Sequence, residues 1–229
     1  MTTVGLADEL LLLAYDDESG RSTVSHIGLD LGMAAAVLVE LVLRGRVEVT
    51  PGAVLTRSPA PIGEPVADKV LAKIVGESPH SAASWIQRLR HGLRQHVLAS
   101  LVERGVIRDQ DETALEFIHL HRYPAVDPAP EADTRARLAA ALTGDSVPDE
   151  RTAALATLVA AVRMEPTLGL TGAAVETAHR RLEEIAGGAG FAAGRVLESS
   201  TVRPSVALVV GELYRAMRTA LGTPRTASI

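Results

Sequence analysis

Apolar residues recur along the chain with the spacing of amphipathic helices. The first run, Leu6 to Tyr15, ends in the turn-forming residues Asp16 to Gly20, which predicts a helix of about three turns. A second, strongly apolar run covers Leu31 to Leu43 and stops at Arg44-Gly45-Arg46. Because glycine readily closes a helix in the left-handed conformation, a strand is expected to begin at Val47.

The middle of the chain predicts a loop followed by two helices. The segment Thr50 to Pro65 contains four prolines, so it is expected to be a loop or an edge hairpin. Helical spacing returns over Val66 to Val75, and again over a longer segment, Ser84 to Arg104. In that longer segment the apolar residues fall on one face, as in a helix that packs on a core.

A β-hairpin is predicted next. Ile107-Arg108 and Ala114 to Tyr123 flank the polar residues Asp109 to Thr113, an arrangement typical of two strands joined by a longer turn. Helical periodicity then returns in four segments: Ala132–Leu142, Asp149–Val162, Thr171–Ala186 and Ser205–Leu221. The pattern predicts a mainly α fold with small β additions.

Composition narrows the class of protein. A chain of 229 residues that is 47% hydrophobic, with a mean hydropathy of +0.17, can bury a sizeable core, which excludes disorder as its main state. No apolar run reaches the roughly 20 residues that a membrane-spanning helix needs. The first residues carry no basic charge ahead of an apolar run, so no secretory signal is expected. The absence of cysteine excludes disulfides and thiolate chemistry, and a cytoplasmic location is predicted.

Charge disfavours a nucleic-acid-binding protein and indicates one local basic region. The net charge is −5, and one Trp, three Tyr and two Phe are few for stacking on bases. The segment from Trp85 to Arg108 nevertheless holds five arginines and one glutamate. A basic face of this kind attracts anionic lipid at about 1 kcal/mol per residue. The alternative is that these arginines form the solvated face of an amphipathic helix.

The order of six local motifs resembles the Golgi phosphoprotein 3 family, in its bacterial form. The motifs are Leu6 to Tyr15, the sequence LVELVLRGRV from Leu38, PAPIGEP from Pro59, Trp85-Ile86, VERGVI from Val102 and HRYP from His121. The resemblance extends from about residue 6 to 221, so one domain is expected over residues 1–229. It implies a mainly α domain with a central four-helix bundle, further helices around it and a small β-hairpin. It also implies no catalytic activity and no cofactor.

The resemblance implies a function at membranes. Family members are peripheral membrane proteins, and the eukaryotic ones bind phosphatidylinositol 4-phosphate and act as adaptors for protein cargo. An ungapped alignment places the family's headgroup pocket on Ser25, Ala34, His91 and Arg94. Ser25 and Ala34 replace a Trp and an Arg, so we expect a site of Arg94, His91 and Arg90 that prefers acidic membranes without recognising one phosphoinositide. The predicted location is the cytoplasm, peripheral at the inner face of the cell membrane.

The hairpin is the predicted contact for a partner. In family members it serves self-association, and only one face of a hairpin can lie on the helical bundle. Phe117, Ile118 and Leu120 are therefore expected to contact a second subunit or the membrane. Packing of these residues on the protein's own bundle is the alternative.

Other classes of function have weaker support. His119 and His121 share one face of the predicted strand, near Glu116 and Asp127, but two histidines do not make a metal site, so none is predicted. The order helix, glycine, strand, turn, strand over Val97 to Tyr123 also fits a winged-helix-like DNA-binding regulator. A third class is a soluble protein-interaction module that binds no lipid.

Overall fold

The computed structural model describes residues 4–114, 118–144, 147–185 and 201–220. Within these ranges the protein is mainly helical, as the sequence predicts. The helices are α1 (Leu6–Ala14), α2 (His26–Leu43), α3 (Pro65–Gly76), α4 (Ala82–Leu89), α5 (Leu93–Glu103), α6 (Ala129–Thr143), α7 (Glu150–Ala161), α8 (Ala173–Ile185) and α9 (Pro204–Ala220). Two antiparallel pairs of strands accompany them: β1 (Val47–Val49) with β2 (Val54–Thr56), and β3 (Gln110–Ala114) with β4 (Ile118–Arg122).

Helix α2 occupies the centre of the fold. It packs against α1, α3, α4, α5, α7 and α9, and every residue from Leu31 to Val42 is buried. The helix begins at His26 rather than at Leu31, because Ser25 takes the extended conformation of an N-terminal cap. Among the described residues α2 alone is long and apolar enough to cross a membrane, yet 78% of it is buried inside the protein. Its hydrophobicity is therefore that of a core helix.

The prediction of one long helix from Ser84 to Arg104 is wrong. Helix α4 ends at Leu89, and α5 begins at Leu93. Gly92, which precedes α5, has φ of +82°, a left-handed conformation that glycine adopts without steric cost. Because the chain turns here, Arg90 and His91 lie on a corner between the two helices rather than along one helical face.

The predicted turn of the hairpin at Asp109–Thr113 is also wrong. Gln110 to Ala114 forms β3, and Ala114 pairs with Ile118 of β4, so the connection falls on residues 115–117, which lie outside the described residues. Strand pairing satisfies the backbone groups of this polar segment, and it overrides the turn preference of acidic residues.

The loop between α1 and α2 holds the base of this hairpin. The amide of Tyr123 donates to the carbonyl of Gly20, and the amide of Ala125 donates to that of Asp17, both at 3.0 Å. Gly20 has φ of +61°, and a Cβ added to it would lie 2.4 Å from the Tyr123 nitrogen. The ring of Tyr15 meets that of Tyr123 edge to face at 6.1 Å. The hairpin base therefore contacts the end of α1 directly.

Candidate anion-binding face

The corner between α4 and α5 places two basic side chains at the surface. Arg90 caps the C-terminal end of α4 and is half-buried, while His91 is exposed. The Nε of Arg90 donates to Nε2 of His91 at 3.2 Å. Within the described residues Arg90 forms no ion pair with a carboxylate. The corner therefore carries a guanidinium with no carboxylate in direct contact, and Asp30 acts on it only at longer range.

Arg94 has a different environment. Its Nε lies 3.1 Å from Oδ1 of Asp30 on α2, and only 16% of its side chain is exposed. It also lies near the hydroxyl of Tyr15, where its charge opposes the rise in the Tyr15 pKa that burial causes. Burial raises the pKa of the Asp30 carboxyl, and the charges of Arg94 and His26, with smaller effects from His91 and Arg90, oppose that rise. The charge of Arg94 is thus largely balanced within the protein.

The other two headgroup positions of the alignment, Ser25 and Ala34, carry no positive charge. Ser25 is exposed as the cap of α2. Ala34 has no exposed surface and lies in the core, so it contacts no ligand. One turn earlier, Asp30 adds a negative charge that the sequence reasoning overlooked. The signal for it was available, since a carboxylate within an apolar helix calls for a cationic partner.

Two further arginines of the basic segment are also paired. The Nη2 of Arg88 lies 2.6 Å from Oε2 of Glu77, and its guanidinium lies 5.0 Å from the centre of the Trp85 ring. The Nη2 of Arg104 lies 2.7 Å from Oδ2 of Asp8. A count of charges along the segment therefore overstates its positive surface, because the balancing carboxylates come from outside it.

A groove adjoins the corner. It lies between α3 and the α4–α5 corner and has a volume of about 170 Å³. Five basic side chains line it: Lys69, Lys73, Arg88, His91 and His96. Its apolar lining is Val66, Val70, Leu89 and Leu93, and no carboxylate lines it among the residues that the structure describes. Of these five, His91 alone was expected as a site residue from the sequence; Arg88 belongs to the basic segment, and the two lysines come from a different helix.

A larger cavity, about 580 Å³, lies at the ends of α1 and α6 and is lined in part by Ser25. Glu131 lines it, and burial, together with a hydrogen bond to Asp17, raises the pKa of the Glu131 carboxyl to about 7. Arg135 bonds to Glu131 and opposes this rise. Acidic and basic groups are mixed in this cavity, so it offers less net positive charge than the groove.

The predicted contact of the hairpin with a second subunit or the membrane stays a prediction. On β4, the backbone of Ile118 pairs with that of Ala114, and the backbone of Leu120 pairs with that of Glu112. Phe117 lies outside the described residues. Among the described residues, no three His, Asp or Glu side chains come together as a metal site would require.

Comparison with known proteins supplies a family. The model of Golgi phosphoprotein 3 (GPP34) matches residues 6–213, a range that includes the α4–α5 corner and the groove. Vacuolar protein sorting-associated protein 74 of Eremothecium gossypii is 22% identical over 169 residues, which is 63% of this chain and 51% of the relative. The chain thus spans about half the length of this curated relative.

Proposed function

Because the chain belongs to the Golgi phosphoprotein 3 family, we propose that it is a peripheral membrane protein that binds acidic lipid headgroups and acts as a non-enzymatic adaptor for protein cargo. The match over residues 6–213 confirms the family expected from the sequence motifs. In eukaryotes, proteins of this family are Golgi-associated. For this chain we place the binding at the inner face of the cell membrane.

The guanidinium at the α4–α5 corner, which has no direct ion pair, supports this proposal. Arg90 and exposed His91 stand beside each other there, and Arg90 forms no ion pair within the described part of the chain. A guanidinium left without a carboxylate is available to a phosphate, to which it can donate two parallel hydrogen bonds.

The same geometry favours binding by charge over recognition of one headgroup. Stereospecific recognition of an inositol phosphate requires several fixed donors around it. Here Ala34 is buried and Arg94 is paired with Asp30. The proposal is therefore a preference for acidic membranes in general.

A vesicle flotation series tests the proposal. Vesicles of phosphatidylcholine, phosphatidylglycerol, cardiolipin and phosphatidylinositol 4-phosphate are compared at matched surface charge. We expect binding to all acidic vesicles, and weakening once salt shortens the screening length below about 8 Å. The Arg90→Gln variant should bind about fivefold more weakly, since one basic residue near the surface contributes about 1 kcal/mol. Arg94→Gln should lose a similar amount, because it leaves the negative charge of Asp30 without its partner.

The matched control is Arg21→Gln, which removes one exposed arginine from the loop after α1. It should leave vesicle binding close to that of the wild type. Absence of binding to every acidic vesicle would contradict the proposal and leave the soluble interaction module. Much tighter binding to phosphatidylinositol 4-phosphate at equal charge would contradict binding by charge alone. Binding to duplex DNA at low salt, with no vesicle binding, would favour the winged-helix alternative.

Self-association through the hairpin is a separate part of the proposal. A charge placed at Phe117 should weaken any contact that buries Phe117, Ile118 and Leu120. We expect Phe117→Glu to lower either the sedimentation coefficient of the protein or its affinity for acidic vesicles. If both measurements match the wild type, the hairpin contacts neither a subunit nor lipid.

A further inference from the structure

We propose that the groove between α3 and the α4–α5 corner is a second anion site that binds a phosphate monoester. It deepens the proposed function, because it would contact the same membrane face, but its phosphate chemistry can be measured without a membrane. The source of the group is either a lipid headgroup or a soluble phosphate ester. The shared chemistry is a compact dianion held by two ammonium groups.

The lysines of the chain converge on this groove. Lys69 and Lys73 are the two lysines of the entire sequence. They stand four residues apart on α3, one turn from each other, and both are exposed and line the groove. Residues with this spacing share a helix face, so their charges reinforce each other. Within the described residues neither forms an ion pair with a carboxylate.

The nearby carboxylates are already engaged. Glu77 lies 2.6 Å from Arg88 and 3.6 Å from His80. Asp68, next to Lys69 on α3, accepts hydrogen bonds from the amides of Ile62 and Gly63 at 2.7 and 3.0 Å. With no carboxylate in the described part of its lining, the groove keeps a positive surplus in a chain whose net charge is −5.

The apolar lining of the groove strengthens the attraction between the lysines and an anion. Val66, Val70, Leu89 and Leu93 line the groove together with the lysines and are each at most 7% exposed, so the inner part of the groove is apolar. Charges interact more strongly where water is partly displaced and the effective dielectric constant is lower. An anion that enters therefore meets a stronger attraction than it would on a fully solvated face.

Size and donor type select the ligand. A volume of about 170 Å³ is below the roughly 300–1,000 Å³ of pockets that enclose drug-sized ligands. The groove therefore suits one phosphate group rather than a nucleotide. Lysine binds phosphate as a compact point charge, so two lysines favour a monoester, which carries up to two negative charges, over a diester, which carries one.

Two titrations with matched variants test the proposal. Inorganic phosphate is titrated by calorimetry into the full chain, and vesicles of phosphatidic acid and phosphatidylglycerol are compared at equal surface charge. The double variant Lys69→Gln/Lys73→Gln should lose phosphate affinity at least tenfold. It should also lose any preference for phosphatidic acid over phosphatidylglycerol: binding to both vesicle types falls because two charges leave the membrane face, and the part that Arg90 provides remains. Circular dichroism verifies that the variant is folded.

The control double variant is Arg21→Gln/Arg180→Gln, which removes the same net charge at two exposed positions outside the groove. It should keep the phosphate affinity of the wild type. Equal losses in the two double variants would overturn the groove, since only net charge would matter. Absence of phosphate binding, with equal binding to both vesicle types, would overturn the groove and leave the proposed function standing. Phosphate binding without vesicle binding would instead support the groove with a soluble ester and contradict the membrane function.

Discussion

Arginine serves opposite purposes in two regions of this molecule. Where α1, α2, α6 and α7 meet, Arg137 and Arg151 bind Glu9 and Glu40, which are 3% and 2% exposed. At the α4–α5 corner, Arg90 has no carboxylate partner in the described part of the chain. The difference shows that the partner, more than the residue type, decides whether an arginine stabilises the fold or presents charge to solvent.

The buried region is a connected network. The Nη1 of Arg151 lies 2.5 Å from Oε2 of Glu40, and Nη2 of Arg137 lies 2.6 Å from Oε1 of Glu9. Burial alone would raise the pKa of the Glu40 carboxyl, but the charge of Arg151 and hydrogen bonds from Arg44 and Arg151 lower it below its ordinary value. Glu40 also accepts from the amide of Leu6 at 3.1 Å. The carboxylate therefore stays ionised inside the core and ties α1 and α7 to α2.

The largest expected effect comes from breaking this network. Arg151→Met should lower the free energy of unfolding by about 3 kcal/mol, because it leaves two buried carboxylates short of their partner. Urea denaturation measures the loss. As a control, Arg215→Gln removes an exposed ion pair with Glu212 and should cost about 0.5 kcal/mol. Similar losses in the two variants would erase the distinction between the regions.

A smaller effect, opposite in sign, is expected at the edge of the exposed region. Asp30→Asn should strengthen binding to phosphatidylglycerol vesicles about fivefold, because it frees the charge of Arg94, worth about 1 kcal/mol near a membrane. Flotation measures the change. Asp133→Asn, on exposed α6 surface, raises the net charge equally and is the control. If both variants bind alike, Asp30 does not restrain Arg94.

An effect of similar size concerns Glu131, which is buried and lines the larger cavity. Its pKa of about 7 lies above the ordinary value near 4.5, so the folded state holds a proton that the unfolded state has released. This contribution to stability is complete below pH 4.5 and is lost as the pH rises through 7. Solvent and Arg135 screen the site, so about 1 kcal/mol is expected.

Urea denaturation at pH 5 and pH 8 measures this loss in the wild type and in Glu131→Gln. The variant should lose about 1 kcal/mol less between the two pH values, since its amide does not titrate. Identical pH dependence of the two proteins would mean that Glu131 is ionised throughout.

Local patterns predicted most of the helices and fewer of the contacts between them. The boundaries of α1, α3 and α7 follow from apolar periodicity, which is a property of a few turns of chain. The break at Gly92 depends on one residue within a continuous apolar pattern, so periodicity missed it. Likewise β3 exists because β4 lies beside it, and no local signal in its polar residues indicates that.

The candidate face was predicted only in part, because a local pattern includes residues that are neighbours in the sequence and misses those that come from other segments. Arg90, His91 and Arg94 are neighbours in sequence, so one motif included all three. Asp30, which balances Arg94, lies on α2, and β1, β2, α3 and α4 separate the two residues along the chain. A local pattern therefore missed it. Lys69, which lines the groove beside His91, belongs to another helix. Electrostatic partners that come from distant segments are the part of a site that a single sequence reveals least.

Gly20 limits which amino acids the base of the hairpin can tolerate. Gly45 and Gly63 also have positive φ, but an added Cβ there would meet no atom within 4 Å, so a substitution costs only backbone strain of about 1–2 kcal/mol. At Gly20 the same Cβ would lie 2.4 Å from the nitrogen of Tyr123 and 2.5 Å from that of Pro124, and backbone atoms do not move aside as a flexible side chain does. In a saturation library, position 20 should therefore tolerate glycine alone, whereas positions 45 and 63 should retain asparagine and aspartate among their survivors.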